Sequence, residues 1–330
     1  YKYVSTEKWD AADAQPRNRL AAGDKYLDQG TLYAAKFNAD GTGQWVELST
    51  KNPAISGFAG FDFKTQADIC VFTRLAADAA GATKMDRPEW AGVNPKNGEV
   101  YITLTNNSQR TAANVDAANP RAYDDMKAGK AQKGNVHGHI VRLNEGGKPA
   151  NAGFKWDIYL FASEADADKA SVNLSNLTDE NDLSSPDGLV FSPATGLCWI
   201  QTDDGAYTDK TNCMLLAAVP GQVGDGGARM VKTGDKQVTT YAGKPQTPAT
   251  LRRFLVGPRG AEITGITETP DGRAIFINIQ HPGENTAMAD VNDPAKYESR
   301  WPANAGYGAG QRPRSATIVI TKNDGGVIGT

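Results

Sequence analysis

Ser192-Pro193-Ala194-Thr195-Gly196-Leu197-Cys198-Trp199-Ile200 follows an apolar run and ends in an aromatic-containing one, which reads as two strands joined by a Pro-x-x-Gly turn. The pattern occurs twice more, at Asn94-Pro95-Lys96-Asn97-Gly98-Glu99-Val100-Tyr101-Ile102 and at Thr269-Pro270-Asp271-Gly272-Arg273-Ala274-Ile275-Phe276-Ile277. A recurring supersecondary unit is the mark of a repeat architecture. Further strand candidates follow each turn, at 136–143 and 154–162, at 213–219 and 251–256, and at 315–321. Four strands per unit is the content of a propeller blade. The turn prolines lie 98 and then 77 residues apart, so long polar insertions are expected at 106–135, 163–185, 221–248 and 282–312.

The expected fold is therefore all-β, a β-propeller occupying 1–330 as a single domain, with roughly fourteen strands. A helical insertion is expected at 65–82, where Thr73-Arg74-Leu75-Ala76-Ala77-Asp78-Ala79-Ala80 reads as the one substantial helix, stopped by Gly81. Asn38-Ala39-Asp40-Gly41-Thr42-Gly43 predicts another hairpin between 32–37 and 44–48. Tyr1-Lys2-Tyr3-Val4-Ser5 alternates like a strand already under way, so the propeller is expected to be N-terminally incomplete.

Composition narrows the class. With 39% apolar and 22% charged residues the chain is neither collagen-like, disordered nor a coiled coil. Its longest apolar runs, 213–219 and 316–320, are far shorter than the ~20 residues a membrane-spanning helix needs. Basic residues number 35 against 38 acidic, without a basic stripe, which argues against nucleic acid as a partner. There is no Gly-x-Ser-x-Gly nucleophile elbow and no P-loop.

Spacing predicts a site. The start of a blade's first strand and the end of its second share one rim. Six residues before the turn proline stand Glu89 and Asp187, and Glu262 stands eight before, which keeps the same face because strand side chains repeat every two residues. Ten or eleven residues after the proline come Thr105-Asn106, Asp203-Asp204 and Gln280-His281. Convergent oxygen donors suit hard cations, Ca²⁺ above all. Arg87 shares the side of Glu89 and is suited to bidentate binding of a phosphate or carboxylate, and His281, in the same rim set, reads as a substrate or outer-shell contact or else as a structural residue. The plain alternative is three solvated strand starts.

Other residues carry weaker signals. His137 and His139 alternate, as a metal pair or a hydrogen-bonding pair would. Cys198 and Cys213 flank Gly205 and read as a disulfide or as two small buried residues, while Cys70 reads as buried and inert. Trp45, Trp90, Trp156 and Trp199 read as core, and the acidic stretch 164–182 and Gly224-Asp225-Gly226-Gly227 as solvated insertions.

At Gly81-Ala82-Thr83-Lys84-Met85-Asp86-Arg87-Pro88-Glu89 the chain closely resembles a motif of the PhoX family of bacterial alkaline phosphatases. Further similar phrases are Asp28-Gln29-Gly30-Thr31-Leu32-Tyr33, Leu104-Thr105-Asn106-Asn107, Gly138-His139-Ile140, Ser185-Pro186-Asp187-Gly188-Leu189, Glu262-Ile263-Thr264-Gly265, Asn278-Ile279-Gln280-His281-Pro282-Gly283-Glu284 and Asp324-Gly325-Gly326-Val327-Ile328-Gly329. The resemblance implies a six-bladed propeller, of which this chain supplies about half or more of the blades. It also implies twin-arginine export to the periplasm or beyond, and hydrolysis of phosphomonoesters at an iron and calcium centre (Fe³⁺ and Ca²⁺) at the channel mouth. Glu89 then corresponds to a metal ligand and Arg87 to a phosphate contact, while Asp187 and Glu262 join as metal ligands on motif and rim position together. A companion N-terminal fragment or half would carry the cysteine thiolate, a further glutamate and other iron ligands. The competing functions are a non-catalytic calcium-binding propeller and another propeller hydrolase, lactonase or phytase-like.

Overall fold

Asp40-Gly41 closes the first hairpin as its turn chemistry requires: Gly41 holds φ at 81°, and the Asp40 carboxylate accepts the Thr42 amide at 2.9 Å. The computed structural model of the chain describes residues 1–14, 18–203, 205–302 and 312–330. It divides into two units, Tyr1–Lys84 with Glu145–Lys155, and Met85–Asn144 with Trp156–Thr330.

In the first unit β1 (Lys2–Ser5), β2 (Gly30–Phe37) and β3 (Thr42–Glu47) pair antiparallel in sequence order. Four helices accompany them: α1 (Arg19–Leu27), α2 (Pro53–Ser56), α3 (Gln66–Val71) and α4 (Thr73–Ala79). The apolar stripe of α3 and α4, with Ile69, Ala76 and Ala77, closes over Ala34, Leu48, Ile55 and Phe63. The single helix expected near 73–80 is instead two short ones broken at Phe72 (φ −105°, ψ 42°), because Thr65 and Asp68 form a capping box that starts a turn of helix earlier. The longest helix is α1, started by Asn18, whose side chain accepts the Ala21 amide. Cys70 is exposed, not buried, because α3 turns its other face to the core.

The second unit carries the repeats. Its strands are β4 (Pro88–Val93), β5 (Val100–Leu104), β6 (Tyr123–Lys127), β7 (Lys130–Gly134), β8 (His139–Asn144) and β9 (Gly153–Phe161), of which the unit holds the part from Trp156. There follow β10 (Pro186–Phe191), β11 (Cys198–Thr202), β12 (Met214–Ala218), β13 (Gly227–Thr233), β14 (Lys236–Ala242), β15 (Leu251–Val256), β16 (Glu262–Glu268), β17 (Ala274–Gln280) and β18 (Ala316–Thr321). They pair in the orders β4-β5-β8-β9, β10-β11-β12-β15 and β16-β17-β18. In each of the three the first two strands join at the predicted turn, where Gly98, Gly196 and Gly272 hold φ at 73°, 76° and 68°, values that a glycine adopts without strain.

Two antiparallel hairpins, β6–β7 and β13–β14, occupy stretches that read in the sequence as long polar insertions, with no strand candidate among them. Their turn signals, Ala128-Gly129 and Gly234-Asp235, are short and sit in polar surroundings that mask the alternation. The acidic stretch 164–182 is solvated only in part: Asp166, Asp168, Asp179 and Glu180 are exposed, whereas Asp182 is buried and pairs with Arg253 and Tyr207. Asp225 joins Arg142 at 2.6 Å, and Arg142 also holds Asp157 at 2.6 Å, a buried cluster that satisfies each charge it encloses. The core packs Tyr101, Ile140, Leu160, Leu189 and Ile200 in one cluster, and Trp199, Leu215, Ile263 and Ile277 in another. Trp156 and Trp199 are buried as expected, whereas Trp90 is 37% exposed.

Candidate metal and phosphate site

Two of the three first strands begin alike. Arg87 and Ser185, each just before a proline, both hold φ at 50°, a left-handed conformation that costs non-glycine residues about 1–3 kcal/mol. Each is held by the same bond, the Arg87 carbonyl accepting the Thr105 amide and the Ser185 carbonyl accepting the Asp203 amide, both at 3.1 Å. Immediately afterwards β4 and β10 bulge, between Pro88 and Ala91 and between Pro186 and Leu189, and β16 bulges between Thr264 and Ile266. Bulges re-aim side chains beside functional sites. Each of the three first strands thus carries one extra residue close to Glu89, Asp187 or Glu262.

Asp187, Asp203 and Glu262 come together, each presenting one carboxylate oxygen within 4.8 Å of the others, and all three half-buried. Burial, then the charges of Glu89, Glu262 and Asp203, push the Asp187 carboxyl up to about 7, against the opposing pull of Arg87. Burial and Asp203 raise Glu262 as well, opposed by His281 and Thr264. Glu89 and Arg87 thus act electrostatically on the same cluster while remaining exposed. Arg87 is oriented by its Nη1, which donates to Asn106 Oδ1 at 2.9 Å. His281, with φ at 37°, lies with Nε2 3.6 Å from Glu262 and Nδ1 3.2 Å from Glu284. Gln280 donates to Glu262 at 2.6 Å. Asp203, placed on the rim by spacing but not singled out as a ligand, proves central. Its neighbour Asp204 lies outside the described residues.

The donors that meet here are carboxylate oxygens, the set hard cations prefer, and their separation suits Ca²⁺ with ligands at about 2.3–2.6 Å. None of the three cysteines joins them. Cys198 and Cys213 do not form a disulfide: they lie in different apolar clusters, and the β11–β12 register pairs Cys198 with Ala218. Burial holds the Cys198 thiol well above its ordinary range.

The two histidines do not share a face. Gly138 between them holds φ at 73°, turning His137 toward Asp125, whereas His139 lies buried between Asn135 and the Ala118 carbonyl, each at 2.9 Å. Burial pushes the His139 imidazole down to about 4, so it is neutral and structural.

A family model described as Alkaline phosphatase PhoX matches residues 1–283. The solved structure of Pseudomonas fluorescens PhoX in complex with vanadate, a transition state analogue, matches at 34% identity and a TM-score of 0.69, over 99% of this chain and 49% of that one. No curated protein matches. The chain spans about half the length of that solved relative. With the matched model covering most of its length, this chain belongs to the PhoX alkaline phosphatase family.

Proposed function

We propose that the chain is the part of a phosphomonoester hydrolase that supplies most of an acidic cation site and its phosphate-binding arginine. The convergence of Asp187, Asp203 and Glu262, with Glu89 and Arg87 acting on the same carboxyl, carries this reading. The recurrent first-strand and turn arrangement supports reading its three sheets as propeller blades, as the resemblance to a six-bladed family implies. A further stretch of comparable length would supply the remaining blades, consistent with the 49% coverage of the solved relative. The family's export route and periplasmic or secreted location are carried over on membership alone.

Asp187, Asp203, Glu262 and Glu89 would hold Ca²⁺. Ferric iron, expected from the family, would need ligands beyond these four carboxylates. Bound cations would offset the charge of a phosphate monoester and polarise its oxygens. Arg87 binds the phosphate through its planar fork, and Asn106 fixes the orientation of that fork. His281, 34% exposed between Glu262 and Glu284, can hold a proton at the rim and donate it to a substrate oxygen. Family membership favours this chemistry over the lactonase or phytase-like alternative. The test is hydrolysis of a chromogenic monoester before and after chelation, with calcium and iron read by elemental analysis. Activity that survives complete removal of metal would overturn the proposal, and calcium binding without turnover in the presence of the remaining half of a full-length relative would leave the non-catalytic alternative.

A further inference from the structure

A second cluster of ligating side chains lies apart from the acidic rim. Asp125 on β6, His137 between β7 and β8, and Glu164 after β9 each present one ligand atom within 4.8 Å of the others. His137 is 1% and Glu164 8% exposed, and their atoms Nδ1 and Oε1 are buried without any hydrogen-bond partner. An ordinary ion pair accounts for His137 Nε2, which lies 3.3 Å from Asp125 Oδ2, but for neither of those atoms. That 3.3 Å is also about the separation expected between two ligands held at about 2.0–2.1 Å around one tetrahedral cation. Lys210 pairs with the other Glu164 oxygen, Oε2, which leaves Oε1 buried without a partner of its own. Asp125, with its side chain 19% exposed, leaves a path from solvent.

We propose that Asp125, His137 and Glu164 form a binding site for a divalent transition-metal ion of the zinc class, distinct in selectivity from the acidic rim. The imidazole nitrogen sets that selectivity, since nitrogen suits zinc whereas calcium takes oxygen ligands. The site joins the β6–β7 hairpin to the sheet. The same hairpin leans on the segment that follows Asp203: Lys127 reaches the Gly205 carbonyl, the Ala128 amide donates to Asp209 at 2.8 Å, and Gln132 donates to the Ala206 carbonyl at 3.2 Å. A metal here therefore steadies the strand end that brings Asp203 to the rim, as a positioning element with no contact to substrate.

The test is a Zn²⁺ titration of the metal-stripped chain in excess Ca²⁺, repeated on the Asp187→Asn/Glu262→Gln double variant so that the rim is not counted. One saturable zinc ion per chain is expected in both proteins. His137→Gln and Glu164→Gln should each weaken it by at least about 100-fold. Zinc should also slow amide hydrogen exchange in 123–134, a readout independent of turnover. Absence of saturable zinc binding in the double variant overturns the site even if His137→Gln fails to fold, as does zinc binding that His137→Gln leaves intact. Hydrolysis that survives in the double variant with this zinc binding retained would instead count against the rim assignment alone.

Discussion

Asp187 shows how a single residue reports on a site. With its folded-state pKa near 7 and an ordinary value of 3.8, it binds a proton more tightly in the fold than in the unfolded chain. Its contribution to stability is thus fully present below about pH 4, declines as pH rises, and is gone above about 7. Asn at this position is neutral at every pH. In metal-free protein Asp187→Asn should therefore be more stable than wild type at pH 8, by about 1–2 kcal/mol after allowing for solvent screening of a half-buried group, and equal to it below pH 4. Urea denaturation in chelator at the two pH values measures this, and Ca²⁺ should reverse the order at pH 8 because only wild type keeps the full ligand set. Two further substitutions separate binding roles. Glu89→Gln should lower bound calcium and hydrolysis together, whereas Arg87→Ala should keep the metal and weaken the monoester by about tenfold or more in KM, as loss of a charge-assisted fork implies. Wild-type behaviour of both variants would refute their assignments.

Among the elements, the rim depends on backbone positions that admit few residues. Gly138 holds φ at 73°, and a Cβ there would lie 2.0 Å from the Thr105 carbonyl oxygen and 2.3 Å from that of Leu104. Its own carbonyl accepts from the Ala162 amide and from Arg121, a fully buried guanidinium that also binds the Ala162 and Val172 carbonyls and the Asn135 side chain. Gly138→Ala should cost about 3 kcal/mol or more, seen as a lower urea midpoint with unchanged slope, since neither carbonyl can retreat without breaking β5. The three hairpin turns were legible because Pro and Gly punctuate them at fixed offsets. The β6–β7 and β13–β14 hairpins were not, since most of their strand residues are polar or exposed and offer little apolar alternation to read.

Across the molecule, the described residues hold eighteen strands against an expected fourteen or so, yet the order within each repeat matched the prediction. Among the described residues no helix is long and apolar enough to cross a membrane. If the proposed function holds, the chain by itself should bind calcium yet hydrolyse monoesters poorly. Supplying the remaining half of a full-length relative should raise turnover at least tenfold, because the iron ligands that the family implies would lie beyond these carboxylates. Equal rates with and without that half would show the rim to be sufficient.

Local chemistry alone determined the repeated hairpins, the acids at their starts and the family likeness, since turn residues and two-residue alternation are written in consecutive positions. Tertiary structure alone decided that Asp203 presents its carboxylate to Asp187 and Glu262 as a third donor, that Cys198 and Cys213 stay apart, and that His137 turns away from His139 toward Asp125 and Glu164. Those outcomes depend on strand register, on one extra residue in a bulge and on the sign of one glycine's φ, and each is settled by packing between segments far apart in the chain.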